Sequence, residues 1–289
     1  MTFAAGDSGD AGGEVFLASK TAGPVFEPED LAFFAEAMRQ RAGIVLPDTK
    51  AALVFRRLAP RVRALGLSSF AAYRERLWNP EDAEWDHVVG QLTTNHSRFF
   101  REIHHFKLLS DHLSEQMAPG NTRVRLWSAA CAAGQEPYSM AILLSHLRTK
   151  HPVTDAKILA TDIDRSVLSQ AEKGRYTPED IGRLPRFARP FVTRDPDGSS
   201  TVAEGPRELV RFKYHNLIGS DWPMRGPFDA IFCRNVLIYL SPADQSRVIA
   251  RLAGLLRPGG LLCLGHSEVA RGTNLPIRRI NVPSSYVRI

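Results

Sequence analysis

Through the first third of the chain, apolar residues recur at helical spacing. The run "FEPEDLAFFAEAMRQRAGI" opens with Pro28 and acids in its first turn and closes near Gly43, a helix start and stop. In "KAALVFRRLAPRVRALGL", Leu53, Val54, Leu58, Val62 and Leu65 form one stripe with arginines beside it. Pro60 predicts a kink or break in that helix. "SSFAAYRERLW", with a serine cap, and "EDAEWDHVVGQL" read as two more helices, and "SRFFREIHHFKLLSDHLSEQM" as a longer amphipathic one. No strand pattern precedes residue 123.

Beyond "APGNT" the period changes. "RVRLWSAA", "AKILATDID", "RFKYHNL", "PFDAIFCRNV" and "GGLLCLGHSE" are short apolar runs, and the first, second and fourth each lead into a helical segment. Such alternation predicts a parallel sheet with helices on both faces. The closing "RRINVPSSYVRI" reads as a strand pair or a last strand. Residues 174–210, rich in Pro, Gly and Arg, interrupt the alternation and predict a small inserted subdomain. The expected organisation is a disordered tail over 1–26, a helical domain over 27–118, a Pro/Gly linker at 118–122 and an α/β domain over 119–289.

Composition narrows the class. The chain has 289 residues, 44% hydrophobic and 24% charged, as in soluble globular proteins. It holds no apolar run long enough for a membrane span. The start lacks a basic stretch followed by an apolar core, so no secretory signal is expected. Three widely spaced cysteines, Cys131, Cys233 and Cys263, fit reduced core thiols in a cytoplasmic protein without a zinc site. The net charge of +6 is unevenly spread: residues 50–76 carry seven basic side chains against Glu75 alone, and 119–289 carry 24 Lys+Arg against 15 Asp+Glu. A positive face suits a polyanionic partner, whether nucleic acid, membrane surface or acidic protein. The arginines of 56–63 are equally compatible with an ordinary solvated face.

Open α/β sheets bind ligands outside the carboxyl ends of their strands. The first strand ends in "SAACAAG", whose small residues let a ligand approach the backbone, ahead of a helix N-terminus. Glu136 at that helix start would repel a phosphate and suits a cationic group such as an α-amino group; it also fits an ordinary first-turn acid. Asp162, 28 residues after Gly134 at the end of the second strand, is placed to accept from ribose hydroxyls, or to cap the next helix. Asn216, at the end of the third strand, could meet an adenine edge or serve a turn. Arg234, Asn235 and Tyr239 emerge from the fourth strand as a site would need, with capping and packing as the alternatives. A ribose acid without a Gly-rich phosphate turn indicates a nucleoside ligand lacking phosphates. S-adenosylmethionine is one, with an amino-acid tail where pyrophosphate would lie.

The motifs "QLTTNHSRFFRE", "WSAACAAGQEPYSMA", "ATDIDRSVL", "FDAIFCRNVLIYL" and "RPGGLLCLGHSE" occur in one order over about residues 30–289. In this the chain resembles the chemotaxis receptor glutamate methyltransferases (CheR-type). The resemblance implies a Rossmann-like S-adenosylmethionine-dependent methyltransferase domain with a small inserted β-subdomain, preceded by an all-α domain. It implies a cytoplasmic, monomeric enzyme, peripheral to membrane-embedded receptor arrays, that makes glutamate methyl esters on the helical bundle of chemoreceptors and releases S-adenosylhomocysteine. By the same resemblance Asn95, Ser97, Arg101, Glu136, Asp162, Asn216, Leu217, Arg234 and Asn235 contact the cofactor, and Arg101 and Tyr239 are catalytic. Arg56, Arg57, Arg61 and Arg63 would dock the acidic receptor.

Departures from the family pattern are Ser97 for threonine, Gln135 for a second acid, and an insert loop, "TRDPDGSSTVAEG", without the Gly pattern that docks a receptor's C-terminal pentapeptide. A tether-independent enzyme is therefore expected. The acceptor carboxylate is ionised at neutral pH and attacks the methyl in line, so no general base is required. His104, His105 and His266 then have surface or packing roles, and no metal is needed. A cofactor-binding regulatory module is the first competing reading, opposed by the intact Arg101, Asp162 and Tyr239. A nucleic-acid methyltransferase is the second, opposed by "CRNVLIY" where those enzymes usually carry Asn/Asp-Pro-Pro-aromatic.

Overall fold

Helices α1 (Pro28–Ala42), α2 (Ala51–Ala64), α3 (Phe70–Arg76) and α4 (Glu84–Leu92) form the first layer of the protein, seen in a computed structural model that describes residues 23–116, 123–149, 155–272 and 274–289. Helix α1 starts where Asp30 accepts the Glu27 amide at 2.7 Å, and ends at Gly43, whose φ of 70° is open to glycine at little cost. Its buried residues Leu31, Phe34, Met38 and Ala42 follow the helical period and meet Val54, Leu58 and Val62 of α2 and Phe70 and Tyr73 of α3. Burying a side chain such as Phe34 or Phe70 contributes about 1.5–3 kcal/mol, and Phe70→Ala would cost about 3–5 kcal/mol.

Four expectations change here. Val25 and Phe26 belong to this layer rather than to a tail. Val25 exchanges backbone bonds with Ser68 and Phe70, and the Phe26 ring meets Phe70 edge-on at 4.7 Å. Residues 1–22 lie outside the described residues, as do 118–122. Pro60 does not end α2: its ring faces solvent, while Leu58, Ala59 and Val62 remain buried and hold the helix on both sides. Helix α5 (Ile103–Gln116) starts six residues later than the pattern from Ser97 predicts. Phe100 and Glu102 take positive φ, 50° and 58°, and Ser139 accepts the Phe100 amide at 2.9 Å, so residues 97–102 form a bent lip. Phe106, Leu109 and Leu113 of α5 join the core of the sheet, so α5 packs with the α/β domain. The change of core falls ahead of α5, near residue 94, because α5's apolar stripe finds its partners on α6 rather than on α1–α4.

The α/β domain runs β1 (Arg123–Ser128), α6 (Gln135–Arg148), β2 (Asp155–Asp162), α7 (Arg165–Lys173), β3 (Arg175–Tyr176), α8 (Pro178–Ile181), β4 (Val192–Arg194), β5 (Ser200–Val202), α9 (Glu204–Leu209), β6 (Val210–Tyr214), β7 (Phe228–Cys233), α10 (Pro242–Leu255), β8 (Leu256–Leu264), β9 (Ile277–Arg279) and β10 (Ser285–Arg288). The main sheet has the order β6-β2-β1-β7-β8-β10-β9. Its first five strands are parallel, and the last two pair antiparallel, the strand pair that the C-terminal pattern allows. Alternate residues of β1 serve opposite faces: Val124 and Leu126 pack under α5 and α6, and Trp127 packs on the side of α10.

Within the insert expected over 174–210, three short strands pair antiparallel as β3-β5-β4, while Val210 already opens β6 of the main sheet. Strand order reverses at β1, with β2 and β6 on one side and β7 and β8 on the other, so the crevice opens at the carboxyl ends of β1 and β7. Among the described residues no helix is long and apolar enough to cross a membrane.

Candidate active site

The turn after β1 is cramped, which explains its small residues. Gly134 has a φ of 92°, and a Cβ there would lie 2.8 Å from the Tyr176 hydroxyl and 2.9 Å from Ala171 Cβ. Ala132 also takes positive φ, 46°, and its amide donates to Asp162 Oδ2 at 2.8 Å. This bond ties the turn to the end of β2. Asp162 accepts the Asp164 amide on its other oxygen at 3.0 Å, and burial raises its carboxyl against these donors. Asp164, not Asp162, caps α7, accepting from the Ser166 amide at 2.8 Å. Asp162 is thus free of the capping role that its sequence position allowed.

A buried charge network crosses the crevice between β1 and β7. Arg234, 5% exposed, places Nη1 2.9 Å from Glu136 Oε2 and Nη2 3.1 Å from Glu102 Oε2. The same Nη2 donates to the Arg101 carbonyl at 2.6 Å. Ser128 donates to Glu136 Oε1 at 2.7 Å. Burial pushes the Glu136 carboxyl up, ahead of the opposing pull of Arg234 and Ser128. Burial acts the same way on Glu102, but there Arg234 prevails and the net direction is down. Glu102, next to Arg101 in a motif singled out for other residues, is the member that sequence reasoning missed; only its neighbourhood in the fold reveals it.

His105 is fully buried and packs against Phe232, with Nε2 2.9 Å from the Pro283 carbonyl. Burial lowers its pKa to about 4, which keeps the ring neutral, in keeping with the packing role expected of it. Glu102, His104 and His105 bring one potential metal ligand atom each within 4.8 Å. Arg234 already engages Glu102, so a divalent ion there would face a guanidinium at short range.

The helical layer closes the other side. Ala42, the last residue of α1, and Ile44, just past it, line the cavity, and Val45 donates its amide to the Tyr239 carbonyl at 2.9 Å. These apolar residues gave no sequence signal. Gly43 allows the approach: a Cβ there would lie 2.6 Å from Ile218 Cγ2. Asn95 donates to Asp164 at 2.6 Å. Asn216 spends its amide donor on the Arg41 carbonyl at 2.6 Å and its oxygen on the Ile218 amide, so its side chain braces the helical layer.

The resulting cleft encloses about 870 Å³, its mouth included. Asn95, Ser97, Arg101, Glu136, Asp162, Asn216, Leu217, Arg234, Asn235 and Tyr239 all line it, so the fold gathers every proposed cofactor and catalytic residue from five separate segments. The docking arginines divide instead. Arg61 makes two bonds to Glu84, at 2.8 and 2.6 Å, and Arg57 binds the Gln91 and Thr93 carbonyls at 3.1 and 2.6 Å. Both are committed to the fold, and of the four only Arg56 and Arg63 are exposed.

The donor set suits one ligand class. Asp162 offers a carboxylate at the end of β2, Leu217, Ile163 and Val236 offer apolar walls, and Glu136 is a buried acid whose carboxyl burial pushes up despite Arg234. The small turn supplies approach without a basic phosphate cradle. Fold and cleft together define an S-adenosylmethionine-binding methyltransferase. Residues 95–285 match the family model described as CheR methyltransferase, SAM binding domain, and residues 29–93 match CheR methyltransferase, all-alpha domain.

The chain is 42% identical over 239 residues to a chemotaxis protein methyltransferase of Klebsiella aerogenes, covering 81% of each chain. It is 40% identical over 264 residues to chemotaxis protein methyltransferase 2 of Pseudomonas aeruginosa, covering 87% of this chain and 93% of that one. The Escherichia coli chemotaxis protein methyltransferase is 41% identical over 239 residues, covering 81% of this chain and 82% of its own. The chain belongs to the CheR chemotaxis methyltransferase family, and its chemistry is S-adenosylmethionine-dependent methylation in chemotaxis. The two matched regions meet at residues 93–95, where the core changes and ahead of the expected boundary at 118.

Proposed function

We propose that the protein forms methyl esters on glutamate side chains of a chemoreceptor's cytoplasmic helical bundle. The observation that carries this reading is the joint position of Arg101 and Tyr239 on one cleft with Glu136 and Asp162. Bound S-adenosylmethionine supplies an electrophilic methyl group. Asp162 would accept from its ribose hydroxyls, and Glu136 would face its ammonium. Arg101, one-third exposed at the lip, would draw an acceptor carboxylate to the mouth and orient it. Tyr239, half-buried and tied to Val45 through its carbonyl, would set the acceptor's angle and exclude water. The acceptor is already ionised, so no side chain needs to remove a proton.

The test is incubation with methyl-labelled cofactor and an acidic receptor bundle. Base-labile label on glutamate is the expected outcome; base-stable label, or label on nucleic acid, would end this reading. Tyr239→Phe should lower kcat about tenfold, or about 1.4 kcal/mol, with cofactor affinity little changed. Docking falls to Arg56 and Arg63, with Arg57 and Arg61 supporting the layer beneath. The expected tether independence rests on the insert loop's lack of the Gly pattern, and its 195–199 turn is bonded within the insert. Asp195 and Ser199 pair through the backbone, and Arg175 binds Asp197 at 2.5 Å. Calorimetric titration with a tether-type pentapeptide should give no micromolar binding.

A further inference from the structure

The motif "GHSE" ends in Glu268, which has no part in the site described above. Glu268 is 4% exposed, and its carboxylate accepts three backbone amides. Oε2 takes Gly265 at 2.5 Å and Asn235 at 2.9 Å, and Oε1 takes Ile238 at 3.2 Å. The donors lie on two different strand exits, Gly265 after β8 and Asn235 and Ile238 after β7. Without the carboxylate, three amides would lose their acceptor in a largely enclosed place. Asn235 holds a φ of 59°, a strained state for a residue with a side chain unless its surroundings fix it. A Cβ on residue 265 would lie 2.5 Å from Asn235 Nδ2 and 2.7 Å from its amide, so glycine there lets the two exits meet.

We infer that Glu268 is a positioning residue for methyl transfer: it sets the β7 exit loop so that Asn235 and Tyr239 face the cleft. The loop is gripped at two points, by Glu268 through Asn235 and Ile238, and by Val45 through the Tyr239 carbonyl. Ile238 immediately precedes Tyr239, so loss of its acceptor moves the tyrosine's own backbone. The inference rests on the proposed role of Tyr239 for its kinetic part and on geometry alone for its structural part.

The test compares Glu268→Gln and Gly265→Ala, each alone and with Tyr239→Phe. Glutamine fits the space but turns an amino group toward one amide. Glu268→Gln should lower kcat about tenfold while the Kd for S-adenosylhomocysteine changes by less than about threefold. Combined with Tyr239→Phe it should cost little more than the larger single loss, since both act on one group. Amide exchange should accelerate at Asn235 and Ile238 in both Glu268→Gln and Gly265→Ala. Unchanged kcat in folded protein, multiplicative losses with Tyr239→Phe, or unchanged exchange at these amides would overturn the inference. If the wild type forms no glutamate ester, the functional reading fails, and the exchange measurement still decides the role of Glu268.

Discussion

Glu84 in the helical layer and Glu136 at the start of α6 are both nearly withdrawn from water, each beside one arginine, yet their acidities shift in opposite directions. Two bonds from Arg61, with a third from Tyr73 at 2.7 Å, hold the Glu84 carboxyl below the usual range. Burial pushes the Glu136 carboxyl up, and Arg234 does not offset it. The difference lies in the deeper desolvation of Glu136 and in how the arginine is shared. Arg61 matches Glu84 with both of its donors and keeps about a third of its side chain in solvent. Arg234 divides itself among Glu136, Glu102 and the Arg101 carbonyl. A complete pair makes a brace. An incomplete one makes a site, because it still favours another cation.

The largest effect should come from removing the shared arginine. Arg234→Met leaves two buried carboxylates without their cation, and breaking such a pairing costs about 3–5 kcal/mol of stability. Urea denaturation should show that loss together with loss of S-adenosylhomocysteine binding. Arg61→Met strips only one carboxylate, Glu84, which keeps its bond from Tyr73. About 2 kcal/mol is expected, with cofactor affinity unchanged. Equal losses in both variants, or a binding defect in Arg61→Met, would erase the distinction between brace and site.

Much of this was legible in the sequence and some was not, for physical reasons. Period changes near residue 123 marked the passage from helices to sheet, since burial on one stripe and burial on alternate positions leave different patterns. Asp162 and Glu136 stood at strand and helix ends, where the topology fixes what they face. The lip at 97–102 was hidden, because the left-handed backbone of Phe100 is held by Ser139 of α6, 39 residues away. So were the commitments of Arg57, Arg61 and Asn216, whose partners lie 23 to 175 residues away. Polar side chains announce themselves by type; which of their bonds are already spent depends on the fold.

The incomplete pairing also predicts how binding responds to pH. A raised carboxyl takes up a proton as pH falls toward its folded pKa, which burial lifts above the ordinary glutamate range for Glu136. The neutral acid no longer attracts an ammonium group. S-adenosylhomocysteine affinity should therefore fall as pH is lowered through that raised pKa, by up to about tenfold per unit. Calorimetry from pH 7.5 downward measures it, within the range where the fold persists. Glu136→Gln should flatten the profile at the low affinity. A profile that falls instead toward high pH would remove Glu136 from the ammonium's surroundings.

The smallest effect distinguishes arginines within one helix. Arg57 and Arg61 of α2 are bonded to α4 and its following turn, and Arg56 and Arg63 stand in solvent. If the exposed pair meets an acidic receptor, Arg56→Glu with Arg63→Glu should raise KM for the receptor about threefold, roughly 0.6 kcal/mol. The rise should shrink with added salt, because exposed charges are screened within about 10 Å at 0.1 M. The melting temperature and cofactor affinity should stay at wild-type values, since neither residue is bonded to the fold as Arg61 is. Reversing Arg57 and Arg61 would instead lower the melting temperature and confuse docking with folding. An unchanged KM in the exposed pair would leave α2 as a solvated face, with its buried stripe and two braces as its whole contribution.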